Sequence, residues 1–163
     1  MIGDSLAMGG AAALIGQLSD FTVAIDASVG RSLWEGIDLL GQTRISDDTV
    51  LAFSLFTNND PADVAGLERA VRASVARLGP HGCAIWATIS RPAQHKVTYR
   101  AANARLLALA RDPALAGRLL VVPWAEQVAR HHAWKAGDHI HATAAGYAAR
   151  ARLYANAARS CTA

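Results

Sequence analysis

The chain has 163 residues, a net charge of +3, 52% hydrophobic residues and 18% charged ones. This is enough chain to bury a real core in one domain, and the balance excludes a disordered chain. The arginines are scattered rather than gathered in a stripe, which argues against a nucleic-acid surface. No apolar run approaches the ~20 residues that a membrane span needs.

In chain order, only Met1 and Ile2 precede the turn at Gly3. A central parallel strand has about five residues, so the first strand is expected to be truncated, with the true start of the chain further upstream. The stretch Leu6–Leu18 is apolar. Strands are predicted over Phe21–Ala27, Thr49–Leu55, Cys83–Ile89 and Arg118–Val122. These runs are continuously apolar rather than alternating, as in a parallel sheet covered on both faces. Helices are predicted over Ala62–Leu78, Thr98–Ala110 and Ala144–Ala158. In the first of these, Val64, Leu67, Val71, Val75 and Leu78 recur at spacings of three and four. Gly79-Pro80 marks a stop after it. The alternation predicts an α/β domain with right-handed crossovers. No linker divides residues 1–163. Cys83 reads as a small buried hydrophobe and Cys161 lies near the end of the chain, so the two are not read as a disulfide framework.

Three elements carry chemistry. Gly3-Asp4-Ser5-Leu6 places a serine between a strand end and a helix start, the edge where open α/β sheets bind ligands. Free N–H groups there can face developing negative charge. In Gly137-Asp138-His139-Ile140-His141, an aspartate and a histidine lie three apart on a turn leading into a helix. A carboxylate there can hold one imidazole nitrogen while the other faces a serine; the same residues also suit a helix cap. Thr57-Asn58-Asn59-Asp60 follows a strand, and a side-chain amide at that place can donate to an oxyanion. Gly30, after the preceding strand, permits close backbone approach.

In their order along the chain these blocks resemble the SGNH/GDSL hydrolase superfamily, from Ile2-Gly3-Asp4-Ser5-Leu6 to Asp138-His139-Ile140-His141. The resemblance implies a three-layer α/β/α, flavodoxin-like sandwich on a parallel five-stranded sheet. It implies Ser5 as nucleophile, His141 as base and Asp138 as its orienting partner. The Ser5 N–H, Gly30 and Asn58 would form the oxyanion hole, with no metal or organic cofactor. Val29-Gly30-Arg31, Trp86-Ala87-Thr88 and Ala142-Thr143-Ala144-Ala145-Gly146-Tyr147 look like the small SGNH domains related to bacterial cell-wall O-acetyltransferases. In that subgroup the domain often follows a membrane-embedded acyltransferase region, which implies an extracytoplasmic site. The expected activity is that of an acyl or acetyl esterase on a small ester or acylated sugar. O-acetyl transfer to a sugar, or a non-catalytic carbohydrate-binding relic, are the alternatives. A phosphate-binding flavodoxin-like domain is weaker, because the first loop has no glycine-rich cradle.

One position departs from the family pattern. Phe56 stands where the third block has glycine, and phenylalanine does not readily take positive φ. It is expected to narrow the pocket or shift Asn58. Trp34 and Trp134 fall beside the second and last blocks and are expected to line the pocket. Arg31 and Arg91, at strand ends, can meet an anionic group. His131, His132, His139 and His141 crowd one segment, but no second ligand cluster accompanies them, so no metal is expected.

Overall fold

The computed structural model describes residues 1–161. Five strands run β1 (Ile2–Gly3), β2 (Asp26–Ala27), β3 (Val50–Ser54), β4 (Cys83–Ala87) and β5 (Leu119–Val122). They form one parallel sheet in the order β2-β1-β3-β4-β5. The helices are α1 (Ser5–Gln17), α2 (Leu33–Gln42), α3 (Val64–Ala76), α4 (Arg100–Leu109), α5 (Trp124–Arg130) and α6 (Ala144–Cys161), with a 3₁₀ turn over His132–Trp134.

The continuous apolar runs are explained by two buried faces. Leu51 and Phe53 of β3, with Ala84 and Trp86 of β4, point to one side. There they meet Leu33 and Leu40 of α2, Leu67 and Val71 of α3, and Leu106 of α4. Cys83, Ile85 and Ala87 point to the other side, against Leu14 of α1, Val128 of α5, and Tyr154 and Ala155 of α6. The result is the expected three-layer sandwich.

The expected strand Phe21–Ala27 contracts to Asp26–Ala27, which pair with Ile2 and Gly3 of β1. An apolar cavity of about 450 Å³ lies between residues 21–25 and 49–52. Helices α2 and α5 were not expected. The first has a local signal, a capping box in which Ser32 accepts from the Glu35 N–H and Glu35 accepts from the Ser32 N–H at 2.7 Å. The cysteine reading is corrected: Cys83 is buried, but it pairs with Cys161 in a disulfide with a Cα–Cα distance of 5.9 Å. The two sit 78 residues apart, so only the packing of α6 against the sheet brings them together.

Candidate active site

The first three strands of the spatial order, β2-β1-β3, deliver their following loops to one edge of the sheet. Ser5 leaves β1 as the first residue of α1, with Asp4 as the helix N-cap. The Asp4 carboxylate accepts from the Leu6 N–H at 3.0 Å. The Ser5 N–H belongs to the unpaired first turn of the helix. Gly3 must be glycine, since a Cβ there would lie 2.2 Å from the Ala7 Cβ. The tight turn that presents Ser5 depends on that close approach.

From the other end of the chain, the loop before α6 carries Asp138 and His141. Asp138 Oδ1 accepts from the Ile140 and His141 N–H groups, both at 2.9 Å. Its Oδ2 lies 2.5 Å from His141 Nδ1. The imidazole and the two amides hold the Asp138 carboxyl well below the usual carboxylate range. An ionised carboxylate only accepts, so Nδ1 carries the proton and Nε2 is left as an acceptor. His141 Nε2 lies 3.0 Å from Ser5 Oγ. Ser5, His141 and Asp138 thus form a continuous hydrogen-bonded line across 136 residues of sequence.

The loop itself is fastened by Lys135, whose ammonium donates to the Ser90 carbonyl at 2.7 Å and the Ile140 carbonyl at 2.8 Å. Partial burial pulls the Lys135 amine down from 10.5 to about 8. The Ala136 N–H donates back to the His141 carbonyl.

Gly30 takes φ 76°, a conformation open to glycine at little cost. It is exposed in the loop after β2. Arg31, beside it, donates to the Gly3 carbonyl at 3.2 Å and pairs with Asp26 at 2.6 Å. It is tied to the protein rather than held out for an anion. Asn58 donates to the Arg31 carbonyl at 3.2 Å and accepts from Arg91 at 3.3 Å. Because arginine only donates, this pairing sets the Asn58 oxygen towards Arg91 and leaves a second N–H on Nδ2 to give.

Phe56 does adopt positive φ, at 76°. The expectation that it narrows the pocket is corrected: its side chain is fully buried, edge-on to Tyr99 at 6.1 Å. The left-handed conformation costs about 1–2 kcal/mol, and a clamp holds it. Arg91 and Tyr99 both donate to the Thr57 carbonyl, and Tyr99 also reaches the Asn59 carbonyl at 3.0 Å. Trp34 is 40% exposed on α2 with the Arg69 guanidinium 5.7 Å above its ring. Trp134 stacks between Trp124 and His131. Among the described residues, no three His, Cys, Asp or Glu side chains converge on a metal site.

Sequence reasoning missed Ser54, Lys135, Arg150 and Tyr99. Arg150 had a signal: it interrupts the apolar face of α6 marked by Ala151, Tyr154 and Ala158, and it is buried with them.

The chain has the SGNH/GDSL fold, which solved structures share along nearly its whole length. It is similar to the C-terminal catalytic domain of peptidoglycan O-acetyltransferase A from Streptococcus pneumoniae, solved with a methylsulfonyl adduct. The identity is 18%, over 98% of this chain and 89% of that one, with a TM-score of 0.70. A member of the lipolytic G-D-S-L family from Veillonella parvula matches at 17% identity, over 95% and 93% of the two chains, with a TM-score of 0.67. A Bacteroides fragilis chain classed as an acylhydrolase matches at 14%, over 99% and 86%, with a TM-score of 0.72. No family model matches the sequence, and no curated protein matches it. No described helix is long and apolar enough to cross a membrane.

Proposed function

We propose that residues 1–163 form one serine-dependent ester hydrolase domain that cleaves short acyl esters, including acylated sugars, through an acyl-enzyme. The observation that carries this reading is the Ser5–His141–Asp138 line, with contacts of 3.0 and 2.5 Å. His141 Nε2 takes the proton as Ser5 Oγ attacks the carbonyl carbon. Asp138 steadies the imidazolium. The Ser5 and Gly30 N–H groups and the free N–H of Asn58 receive the oxyanion. His141 then returns its proton to the leaving alcohol. Water, activated by the same histidine, releases the acid.

A second reading, transfer of the acyl group to a sugar hydroxyl, is favoured by the likeness to an O-acetyltransferase catalytic domain over 98% of this chain. The two share every step up to the acyl-enzyme.

The test is hydrolysis of a chromogenic acetate by the parent chain, with and without a sugar acceptor, beside Ser5→Ala and His141→Ala. Each variant should lose about 10⁴-fold or more in kcat. Acetylated sugar among the products would select transfer. A parent that binds acylated sugars, turns over no ester and binds equally well as Ser5→Ala would be a carbohydrate-binding relic.

A further inference from the structure

Behind the nucleophile lies a buried polar chain that the proposed reaction does not use. Arg150 of α6 is 5% exposed and Asp4 is 0% exposed. Among the described residues, no carboxylate lies within ion-pair distance of the Arg150 guanidinium. Instead its Nη2 donates to Ser54 Oγ at 3.0 Å and to the Tyr154 hydroxyl at 3.3 Å. Tyr154 passes its own proton to the Phe53 carbonyl at 2.7 Å. The rings of Trp124 and Tyr154 lie 5.7 and 5.0 Å from the guanidinium carbon, which suits a cation withdrawn from water.

The direction of the chain follows from its donors. Arginine has no acceptor, so Ser54 accepts from Arg150 and must spend its single proton elsewhere. It gives that proton to Asp4 Oδ1, 3.2 Å away. The second carboxylate oxygen, Oδ2, has no hydrogen-bond partner, and neither has Arg150 Nε. A buried acid and a buried base are thus joined only through one serine hydroxyl. An unbalanced charge in that setting is costly.

We propose that Arg150 is a positioning residue of the active site, acting through Ser54 on Asp4 so that the negative charge directly behind Ser5 is balanced. This inference rests on the triad reading. Left unbalanced, the Asp4 carboxylate would oppose an oxyanion forming at the adjacent Ser5 N–H and would favour the protonated imidazole of His141. The first effect raises the transition state and the second removes the free base that begins the reaction, so both lower kcat rather than weaken substrate binding.

Asp138 pairs with His141, and His139 and Lys135 share its loop; Asp4 precedes Ser5, which His141 meets, and Tyr147 and Arg150 lie on α6, which follows the loop. The fields of Arg150, Asp138 and Asp4 all reach the Tyr147 hydroxyl, and those of Asp138 and Arg150 reach Lys135. These groups share one electrostatic neighbourhood.

The experiment compares the parent with Arg150→Met, Arg150→Lys, Asp4→Asn and the Asp4→Asn/Arg150→Met double variant. Folding is checked by thermal melting. The His141 ring signals are followed by NMR against pH, and chromogenic acetate turnover is measured in parallel. In Arg150→Met, His141 should titrate higher than in the parent by about half a pH unit or more. Its kcat should fall about tenfold or more with KM little changed. Arg150→Lys should keep the parent midpoint, and removing both charges should restore it.

An unchanged His141 midpoint in folded Arg150→Met overturns the inference, even if kcat falls. So does a shifted midpoint that the double variant fails to restore. The NMR readout needs no turnover. A parent without esterase activity that still shows the shift and its restoration would refute the hydrolase reading and keep the charge balance. If Arg150→Met does not fold, Asp4→Asn decides: with Arg150 left unbalanced, the His141 midpoint should fall below the parent's and return in the double variant, and an unchanged midpoint overturns the inference.

Discussion

The two halves of the site are held together in different ways. The Asp138–His141 loop is organised by its own residues, since every bond from Asp138 reaches a group no more than three positions away. The loop after β3 is organised from outside. Arg91 and Tyr99 reach across 33 to 42 residues to the segment Thr57–Asn59, and Asn59 accepts from the Leu33 N–H of α2. The first loop has a long-range tie, from Lys135 to the Ser90 carbonyl. The second, with Phe56 in a left-handed conformation, exists only in the finished fold. The Asp138–His141 pair is locally encoded, while the Thr57–Asn59 segment that would receive the oxyanion is a tertiary product.

Substitutions can break this comparison at several levels. The largest effect is expected for Asp138→Asn. It preserves the shape of the loop but inverts the hydrogen-bonding preference at His141 Nδ1, and kcat towards a chromogenic acetate should fall about 10⁴-fold. A loss below about tenfold would mean that His141 is oriented by something other than Asp138. Next comes Asn58→Ala, for which removal of one oxyanion donor should lower kcat about 10²–10³-fold. Unchanged kcat there would remove Asn58 from the oxyanion hole and leave the Ser5 and Gly30 N–H groups to do that work.

A third prediction concerns stability alone. Phe56→Ala should destabilise the chain by about 3–5 kcal/mol through loss of a buried ring. Phe56→Gly should cost about 1 kcal/mol less than Phe56→Ala, because glycine tolerates a φ of 76° that alanine resists. This reverses the usual order of the two residues, and urea melts of both variants would reveal it.

The smallest effect belongs to Lys135, which ties the histidine loop to Ser90. Its amine is depressed from 10.5 to about 8, so between those values the folded chain holds fewer protons than the unfolded one. Stability should therefore climb as pH rises from about 8 to 10.5. Lys135→Met should flatten that slope, as measured by urea midpoints at several pH values.

The same contrast explains what could be read from residues alone. The strand runs were legible because both sheet faces are buried, which makes Val50–Ser54 and Cys83–Ala87 continuously apolar. Ser5, Asp138 and His141 stood out because each sits in a short motif with its helix start beside it. The Arg91–Tyr99 clamp, the Arg150–Ser54–Asp4 chain and the Cys83–Cys161 bond were not legible. Each joins positions dozens of residues apart, and no local spacing marks them. Helix α2 lay between these cases: the Ser32–Glu35 capping box and the helical spacing of Leu33, Ile37 and Leu40 are both in the sequence, over a stretch of only ten residues.

The bond between Cys83 and Cys161 also bears on how the molecule opens. A terminal helix is ordinarily the first element to fray and exchange its amide hydrogens. Here the last turn of α6 is covalently fastened to the start of β4, in the middle of the fold. Closing a loop of 78 residues withdraws about 4.5 kcal/mol of chain entropy from the unfolded ensemble. The segment carrying Arg150 and Tyr154 is therefore coupled to global rather than local opening, and its slowest amides should exchange together with those of the central strands.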